Sequence, residues 1–416
     1  MRVRQSLTTA ACLGGLFGGA AFGHGGLVGD QPATVDAART LLVRSNDELR
    51  IISQMRWTST ATRMVWLFPL PNFNDPAEDG VRVELFPDAA LEAIDAATRP
   101  TFTGQSDGSP NGQRSTLEGP AYRAGATELP AVRFFNAAEI EANELTDYLA
   151  TVGVSIDQGM LDTISAMLDQ NFMFLTLRFD APPTADPVVA VSYPLPAGEE
   201  PRIGIRPVAS NLGDGSADMT YFAVSDARQR FNLTTRDVDV SGVAFDSPNT
   251  TTYLQAFDAQ VAPQQSQAFL VEHAGAVAVD DAEAAALVDA AGGTVTRLHA
   301  RLTGPALRAN QVISLRDGEA TELTGPFAVT GFGCEVEAPD AAEPPTESDL
   351  GVPADPEEPV DAGLDPATPD AATEAPSGGG GDGGCSLAPG PRGPGGAALL
   401  SLIPLVVGLR ARSRRR

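Results

Sequence analysis

The sequence contains no lysine, so all 28 of its basic residues are arginines. It has only three cysteines and three histidines, and aromatic residues make up 6% of it. So few cysteines exclude a disulfide-built scaffold, and no cysteine or histidine pair has zinc-site spacing. The 54 acidic residues give a formal net charge of −26, which disfavours electrostatic binding to nucleic acid or anionic lipid. The sequence indicates no cofactor.

The N-terminus predicts export. Arg2 and Arg4 precede an uncharged run that is rich in Leu, Ala, Gly and Phe and continues to Gly23. Basic residues before a short apolar run, with small residues at its end, are typical of a secretory signal peptide. We assign residues 1–23 to this peptide, with cleavage near Ala21 or Gly23.

The C-terminus, residues 385–416, combines a cysteine, an apolar segment and a basic end. Cys385 lies in a Gly- and Pro-rich stretch, Gly395–Leu409 is uncharged, and five arginines follow it. As a helix this segment would be about 22 Å long, short of the roughly 30 Å hydrocarbon core. Pro404 would weaken that helix further, while the arginines favour the cytoplasmic side. An ordinary single-pass anchor with an incidental cysteine is the alternative to a cleaved signal.

This order of features resembles the myxobacterial C-terminal sorting signal, in which a cysteine precedes an apolar stretch and an arginine cluster. The resemblance implies processing at Cys385 by an intramembrane sorting protease after export by the secretion machinery. The protein would then be held at the outer cell surface by a lipid, or in the membrane by the C-terminal segment itself.

The composition divides the rest of the chain into a folded region and a linker. Residues 335–384 contain fourteen acidic residues, nine prolines and no basic residue. Such a segment cannot bury a core, so we expect an extended, disordered linker. Residues 29–334 should form one extracytoplasmic domain, or two at 29–240 and 241–334. Cys334 is either a lone buried thiol or a disulfide partner of Cys385.

Hydrophobic periodicity predicts an α+β fold for residues 29–334, mainly antiparallel β with a central helical pair. Thr40–Val43 and Leu49–Trp57 read as a β-hairpin. We expect Asp88 to cap a short helix, and Pro69 and Pro71 to end the preceding strand or place it at a sheet edge. Further strands are predicted at Met64–Phe68, Val81–Phe86, Phe172–Phe179, Val188–Tyr193 and Arg202–Pro207, and helices at Glu139–Thr151, Asp157–Gln170 and Asp281–Ala290.

Several short segments resemble an uncharacterised secreted bacterial family, domain of unknown function 2330. They are Trp66–Pro71 with Glu84-Leu85-Phe86, Phe172–Phe179, Pro187–Tyr193, Arg202–Pro207 and Thr296–Leu302. The resemblance implies a shared fold over most of residues 35–315 and implies no chemistry.

Few residues suggest a reaction. His24 could become the first mature residue and bind copper with His273 or His299, because neutral imidazole suits copper, although an idle terminus is the simpler interpretation. Gly104–Gly108 matches a nucleophile-elbow pattern but lies among loop residues. Trp57 and Trp66 are expected in the core.

Two acidic pairs could ligate calcium outside the cell, namely Asp237 with Asp239 and Asp214 with Asp218. Neither has the spacing of a calcium loop, so a solvated acidic surface is the simpler interpretation.

Two functions remain open. The first is a surface-displayed, non-enzymatic binding or structural protein of the envelope. The second is an envelope enzyme whose site is assembled from scattered Asp, Glu and Arg.

Overall fold

The fold is built mainly from β-sheets, with 43% of the described residues in strands and 24% in helices. The computed structural model describes residues 25–331, except 46, 105–112, 142, 181–183, 197, 213–214, 265–266 and 310–311. Most strand pairs are antiparallel, with parallel exceptions that include β2 Ala33–Ser45 beside β12 Ser216–Ser225. The expected predominance of antiparallel strands is therefore confirmed.

The elements follow one another in a long series of strands with short helices between them. The other strands are β1 Gly26–Gly29, β3 Glu48–Ser59, β4 Met64–Pro71, β5 Arg82–Leu85, β6 Thr101–Gly104, β7 Gln113–Thr116, β8 Ala131–Phe135, β9 Phe172–Phe179, β10 Val188–Pro194, β11 Arg202–Gly204, β13 Gln229–Phe231, β14 Thr235–Asp237, β15 Phe245–Ser247, β16 Thr250–Thr251, β17 Phe269–Ala276, β18 Thr294–Thr303, β19 Val312–Asp317 and β20 Phe327–Val329. The helices are α1 Asp88–Thr98, α2 Ala137–Glu141, α3 Glu144–Thr151, α4 Gln158–Leu168, α5 Tyr253–Val261, α6 Ala282–Ala290 and α7 Gly304–Ala309, with 3₁₀ turns at Arg206–Asn211 and Ala262–Gln264.

An eight-stranded sheet organises the described residues, in the order β14-β17-β18-β12-β2-β3-β10-β5. The predicted hairpin is its centre, because β2 and β3 pair antiparallel from Ser45 opposite Glu48 to Ala33 opposite Ser59. Strands β17 and β18 join the same sheet through β12, so both halves of the chain contribute to it.

A second, four-stranded sheet packs against one face of the first. Its order is β1-β4-β9-β8, and side chains from β4 and β9 enter one apolar cluster with side chains from β2 and β3. Trp66 and Leu175 are fully buried in this cluster, and Trp57 is almost so, as expected for core residues. The outer face of the four-stranded sheet is covered by the helices α3 and α4 through another cluster.

The opposite face of the eight-stranded sheet is covered by helices. Helices α1 and α6 pack on Leu41, Ile52 and Phe222 near one end of the strands. Helix α5 packs with β6 and β20 near the other end, around Phe102 and Leu270. Between these two apolar clusters the strands carry the charged side chains that form the candidate site.

Two local predictions need correction, and of the two alternatives for Pro69 and Pro71 the sheet edge is the one that holds. The helix expected over Glu139–Thr151 is divided into α2 and α3, because Asn143 has a left-handed φ of 65° that a right-handed helix cannot contain. Asp88 is the first residue of α1 and makes no cap, and Pro87 holds the cap position. The strand at Met64 does not end at Pro69. β1 pairs only as far as Leu67, so in the described residues β9 alone flanks the prolines, where a missing N–H is tolerated.

The helices predicted at Asp157–Gln170 and Asp281–Ala290 are confirmed as α4 and α6. Gly153, with a φ of 76°, follows α3 as a helix stop. Asp157 caps α4 by accepting a hydrogen bond from the Met160 backbone N–H, and Asp281 caps α6. Over the described ranges, no helix has the length and apolar character needed to cross a bilayer. The linker 335–384 and the C-terminal segment lie outside those ranges.

Candidate functional site

The site begins with the alternation of side chains along the central strands. On β18, Arg297, His299 and Arg301 alternate with apolar residues that point to the sheet–sheet core. On β2, Arg39 lies on the same helix-covered face, opposite Gln54 of β3. β18 and β2 therefore both place charged side chains on the helix-covered face.

Helix α1 supplies the carboxylates that face Arg39. The Arg39 Nη1 group donates to Glu92 at 2.6 Å and to Asp95 at 3.1 Å. Arg99, one turn beyond Asp95, donates to the same two carboxylates at 2.8 and 2.7 Å. Residues three, four and seven apart share one face of a helix, so Glu92 and Asp95 of α1 and Arg99 at its C-cap lie together. The side chains of Arg39 and Asp95 are only 3% exposed.

The pairing continues from α1 across the sheet. Arg297 binds Asp95 on one side and Glu272 of β17, at 2.6 Å, on the other. A β-bulge between Val271 and His273 leaves Glu272 without a partner residue on β18, and its side chain is completely buried. Glu272 also accepts a hydrogen bond from the Tyr253 hydroxyl of α5. The Glu272 carboxylate is therefore held by a side chain of the sheet and by a side chain of helix α5.

The last members lie beside α5. The His299 Nδ1 atom is 2.7 Å from Glu272, and its Nε2 atom is 3.7 Å from Asp218 of β12. Arg301 then joins Asp218, at 2.9 Å, to Asp258 of α5, at 2.5 Å. Acids and bases thus alternate without a break. We call this set the ion-pair chain; its members in order are Glu92, Arg39, Asp95, Arg297, Glu272, His299, Asp218, Arg301 and Asp258.

The pairing moves the titration of these groups away from neutrality. Burial alone would raise the pKa of Glu272, but the charges and hydrogen bonds of His299 and Arg297 hold it at about 2. Burial would also raise the pKa of Asp218, which His299 and Arg301 hold at about 2. Burial opposes the protonated form of His299, yet Glu272 and Asp218 raise its pKa to about 9. At neutral pH Glu272, Asp218 and His299 are therefore all ionised.

A cleft of about 850 Å³ opens beside the Glu92 end of the ion-pair chain. One wall is α1, the floor is formed by Arg39 and Gln54, and the other wall is the segment 116–124. We call it the α1 cleft. Two further cavities, of about 350 and 230 Å³, are smaller. The residues that line the α1 cleft are Arg39, Gln54, Asp88, Ala89, Glu92, Arg99, Thr116, Leu117, Glu118, Gly119, Pro120, Ala121, Tyr122 and Ala124.

The second wall is irregular backbone that side chains fasten to the sheet. Arg123 donates its backbone N–H to Asp186 at 2.8 Å and its Nε to the same carboxylate at 3.0 Å. Asp186 is completely buried and returns its backbone N–H to the Arg123 carbonyl. The Gly125 N–H donates to Asp88, and the Tyr122 ring lies 4.3 Å from the Arg39 guanidinium. Burial raises the pKa of Tyr122, which keeps its hydroxyl protonated.

The residues singled out from the sequence are mostly elsewhere. Cys385, His24 and Asp214 lie outside the described residues, as do residues 105–108 of the Gly104–Gly108 pattern. Asp237 pairs with Arg228, and Asp239 accepts a hydrogen bond from the Ser241 backbone. Asp218 and His299 are brought together, as parts of the ion-pair chain. Within residues 25–331, gaps excepted, no group of three or more His, Cys, Asp or Glu is arranged to hold a metal ion.

Sequence reasoning did not identify Arg39, Asp95 or Glu272. Two signals were nevertheless present. The alternation Arg297-Leu-His299-Ala-Arg301 places three bases on one strand face, and Glu272 with His273 interrupts an otherwise apolar strand. The pairing itself could not be read, because Asp95 and Arg297 are 202 residues apart.

The comparisons with known proteins leave the family open. No protein-family model matches the chain, and no curated protein matches it. One solved structure that matches is the crystal structure of baculovirus P35, with 8% identity and a TM-score of 0.31. The match covers 48% of this chain and 75% of that one. A likeness at this level carries no argument about fold or function.

Proposed function

We propose that the protein is exported to the outer cell surface, where its folded domain acts as a non-enzymatic binding module whose ligand occupies the α1 cleft. The observation that carries this proposal is the state of the charged groups next to the cleft. A general acid or base works best with a pKa near the operating pH. The Arg297 and Arg99 side chains hold the pKa of Asp95 well below its usual range, although burial opposes this. The buried carboxylates of the chain are therefore fixed anions, suited to holding a shape rather than to exchanging protons.

The α1 cleft is the feature suited to a ligand. Its volume lies within the range of roughly 300–1,000 Å³ that is usual for small-molecule sites. Apolar docking has little support elsewhere, because among the described residues Leu254, at 45%, is the large hydrophobic side chain that is exposed. The walls are also rigidly held, since Arg123 and Asp186 fasten one of them and α1 packs on the sheet with the other.

The position at the cell surface rests on the sequence. A signal peptide, an acidic linker at 335–384 and the Cys385 tail form the order expected of a domain held away from the envelope. Processing at Cys385 by a sorting protease would remove Gly395–Arg416. Mass spectrometry of the surface-extracted protein should therefore find no peptide that ends at Arg416, and Cys385→Ala should leave the protein uncut. A surface protein that retains Arg416 would instead carry a plain membrane anchor.

Thermal unfolding of the full-length protein tests the binding function with soluble probes of three kinds. These are a set of neutral trisaccharides, citrate as an anion and spermidine as a cation. A ligand present at about 100 times its Kd stabilises by about 2.7 kcal/mol, which for a folded region of about 300 residues corresponds to a rise in Tm of about 4 °C. If no kind of probe raises the Tm, the proposed function is wrong. Chemical turnover of a probe that binds would instead favour the envelope enzyme.

Two substitutions on α1 locate the binding. Ala89 is exposed and lines the α1 cleft, whereas Ala97 is exposed on the same helix but does not line it. Ala89→Trp should fill the cleft and remove the rise in Tm. Ala97→Trp should leave that rise unchanged. Equal behaviour of the two variants would place the ligand elsewhere.

A further inference from the structure

The charged groups at the floor of the α1 cleft already neutralise one another. Arg39 and Arg99 each contact both Glu92 and Asp95. A charged ligand that bound one of these groups would have to displace its partner. The displaced partner would remain ionised and poorly solvated, which is costly when it is buried as Asp95 is. Arg39, Arg99, Glu92 and Asp95 therefore offer no unopposed charge to a ligand, and the other two charged lining residues, Asp88 and Glu118, are acidic and disfavour an anion.

The same groups keep unused hydrogen-bonding capacity. Arg39 donates through Nε to Gln54 and through Nη1 to the two carboxylates, so its Nη2 group has no acceptor among the described residues. Arg99 donates through Nη2 alone to Glu92 and Asp95. The Glu92 side chain is 48% exposed, and a carboxylate can accept about four hydrogen bonds. Donors and acceptors thus lie side by side along the floor.

The second wall adds a mainly apolar surface close to these groups. Pro120, Ala121 and the half-buried Tyr122 line it. Gly119 lets the wall approach Arg99, because a Cβ at this position would lie only 3.1 Å from the Arg99 Nη2 atom. The α1 cleft therefore combines an apolar side with a floor of paired donors and acceptors.

We propose that the α1 cleft binds an uncharged polyhydroxylated ligand, a carbohydrate unit. A hydroxyl group can donate to Glu92 and accept from an arginine at the same time, so it uses both kinds of group without breaking an ion pair. The C–H face of a sugar ring matches the Tyr122 wall. The net charge of −26 repels anionic alternatives over longer distances. This inference rests on the proposed binding function and specifies its ligand.

An array of immobilised glycans, probed with the full-length protein, tests the ligand class. It should hold neutral oligosaccharides beside sulfated and sialylated ones. We expect signal from neutral glycans, and calorimetry on a soluble neutral hit should give an affinity that changes less than about twofold between roughly 0.05 M and 0.5 M salt. Binding confined to anionic glycans or to spermidine would overturn the inference while the binding function stands. No binding to glycans or to any soluble probe would overturn both.

Two arginine substitutions test the site. Arg99→Lys keeps the charge but removes the planar guanidinium group that lines the cleft. The affinity for the neutral oligosaccharide found with the array should therefore fall about tenfold, as for one lost charge-assisted hydrogen bond. Arg82→Lys is the matched control, because Arg82 pairs with Glu48 away from the cleft and should leave the affinity unchanged. Ala89→Trp should abolish binding even if Arg99→Lys lowers stability. Neutral-glycan binding that survives both cleft variants would overturn the assignment.

Discussion

Both faces of the eight-stranded sheet are covered, but one face packs through apolar side chains and the other carries buried ionised side chains. One face meets the four-stranded sheet through apolar side chains, including Leu42, Ile51 and Met55. The other face carries Arg39, Arg297 and other ionised groups at similar depth. An apolar side chain can pack against almost any other, whereas a buried charge needs a specific partner. The charged face should therefore depend on single residues much more sharply than the apolar face.

The largest effect is expected when the ion-pair chain is broken at its middle. Glu272→Ala leaves Arg297 and His299 ionised in the interior without their shared carboxylate. We expect a loss of about 3–5 kcal/mol in the free energy of unfolding, measured by urea titration. Glu272→Gln keeps the shape and the acceptor for Tyr253, so its loss should be smaller. A loss below 1 kcal/mol for the alanine variant would mean that the interior pairs are solvated.

The apolar face supplies the matched measurement. Leu175→Ala removes a fully buried side chain of β9 from the sheet–sheet cluster and should cost about 2–4 kcal/mol, according to how far the site collapses. Leu254→Ala, on the exposed side of α5, should change the stability by less than about 0.5 kcal/mol. If Leu175→Ala costs more than Glu272→Ala, the apolar face is the more sensitive one.

The pH dependence separates the faces without mutation, because only one of them titrates. Glu272 and Asp218 have pKa values of about 2 in the folded protein, below their usual 4.5 and 3.8. Their stabilising contribution is present above the usual values and is lost as the pH falls toward 2. His299 has a raised pKa of about 9, against 6.5, so its contribution is complete below pH 6.5 and is lost as the pH rises through 9.

The free energy of unfolding should therefore be highest between about pH 4.5 and 6.5 and decline on both sides, by about 1–3 kcal/mol at the alkaline end. Urea titrations from pH 3 to 10 measure this curve. His299→Gln should flatten the alkaline decline and also reduce the acidic one, because His299 helps to hold the pKa values of Glu272 and Asp218 low. A wild-type stability that rises from pH 7 to 9 would contradict the assignment of a protonated, paired histidine.

The contrast between the faces also explains what could be predicted from the sequence. The hairpin of β2 and β3, strand β9 and helix α6 were predicted, because alternation and capping residues are local signals. The apolar face follows from the same alternation. The ion-pair chain could not be predicted, since its pairs join distant segments and each choice of partner depends on the tertiary fold. Asp88 illustrates this, because its carboxylate accepts from Gln54 and Gly125 rather than capping its own helix.

The smallest effect is expected for an ion pair outside the ion-pair chain. Arg316 and Glu200 lie 2.9 Å apart, but both side chains are 48% exposed. Water screens this pair, so Glu200→Ala should lower the free energy of unfolding by no more than about 0.5 kcal/mol, and about 0.5 M salt should remove the difference. The same salt should leave the cost of Glu272→Ala almost unchanged, because counterions do not reach a completely buried carboxylate. Urea titrations of both variants at low and high salt make the comparison. If salt reduces the two costs equally, Glu272 is as accessible to solvent as the surface pair, and the ion-pair chain does not differ from an ordinary charged surface.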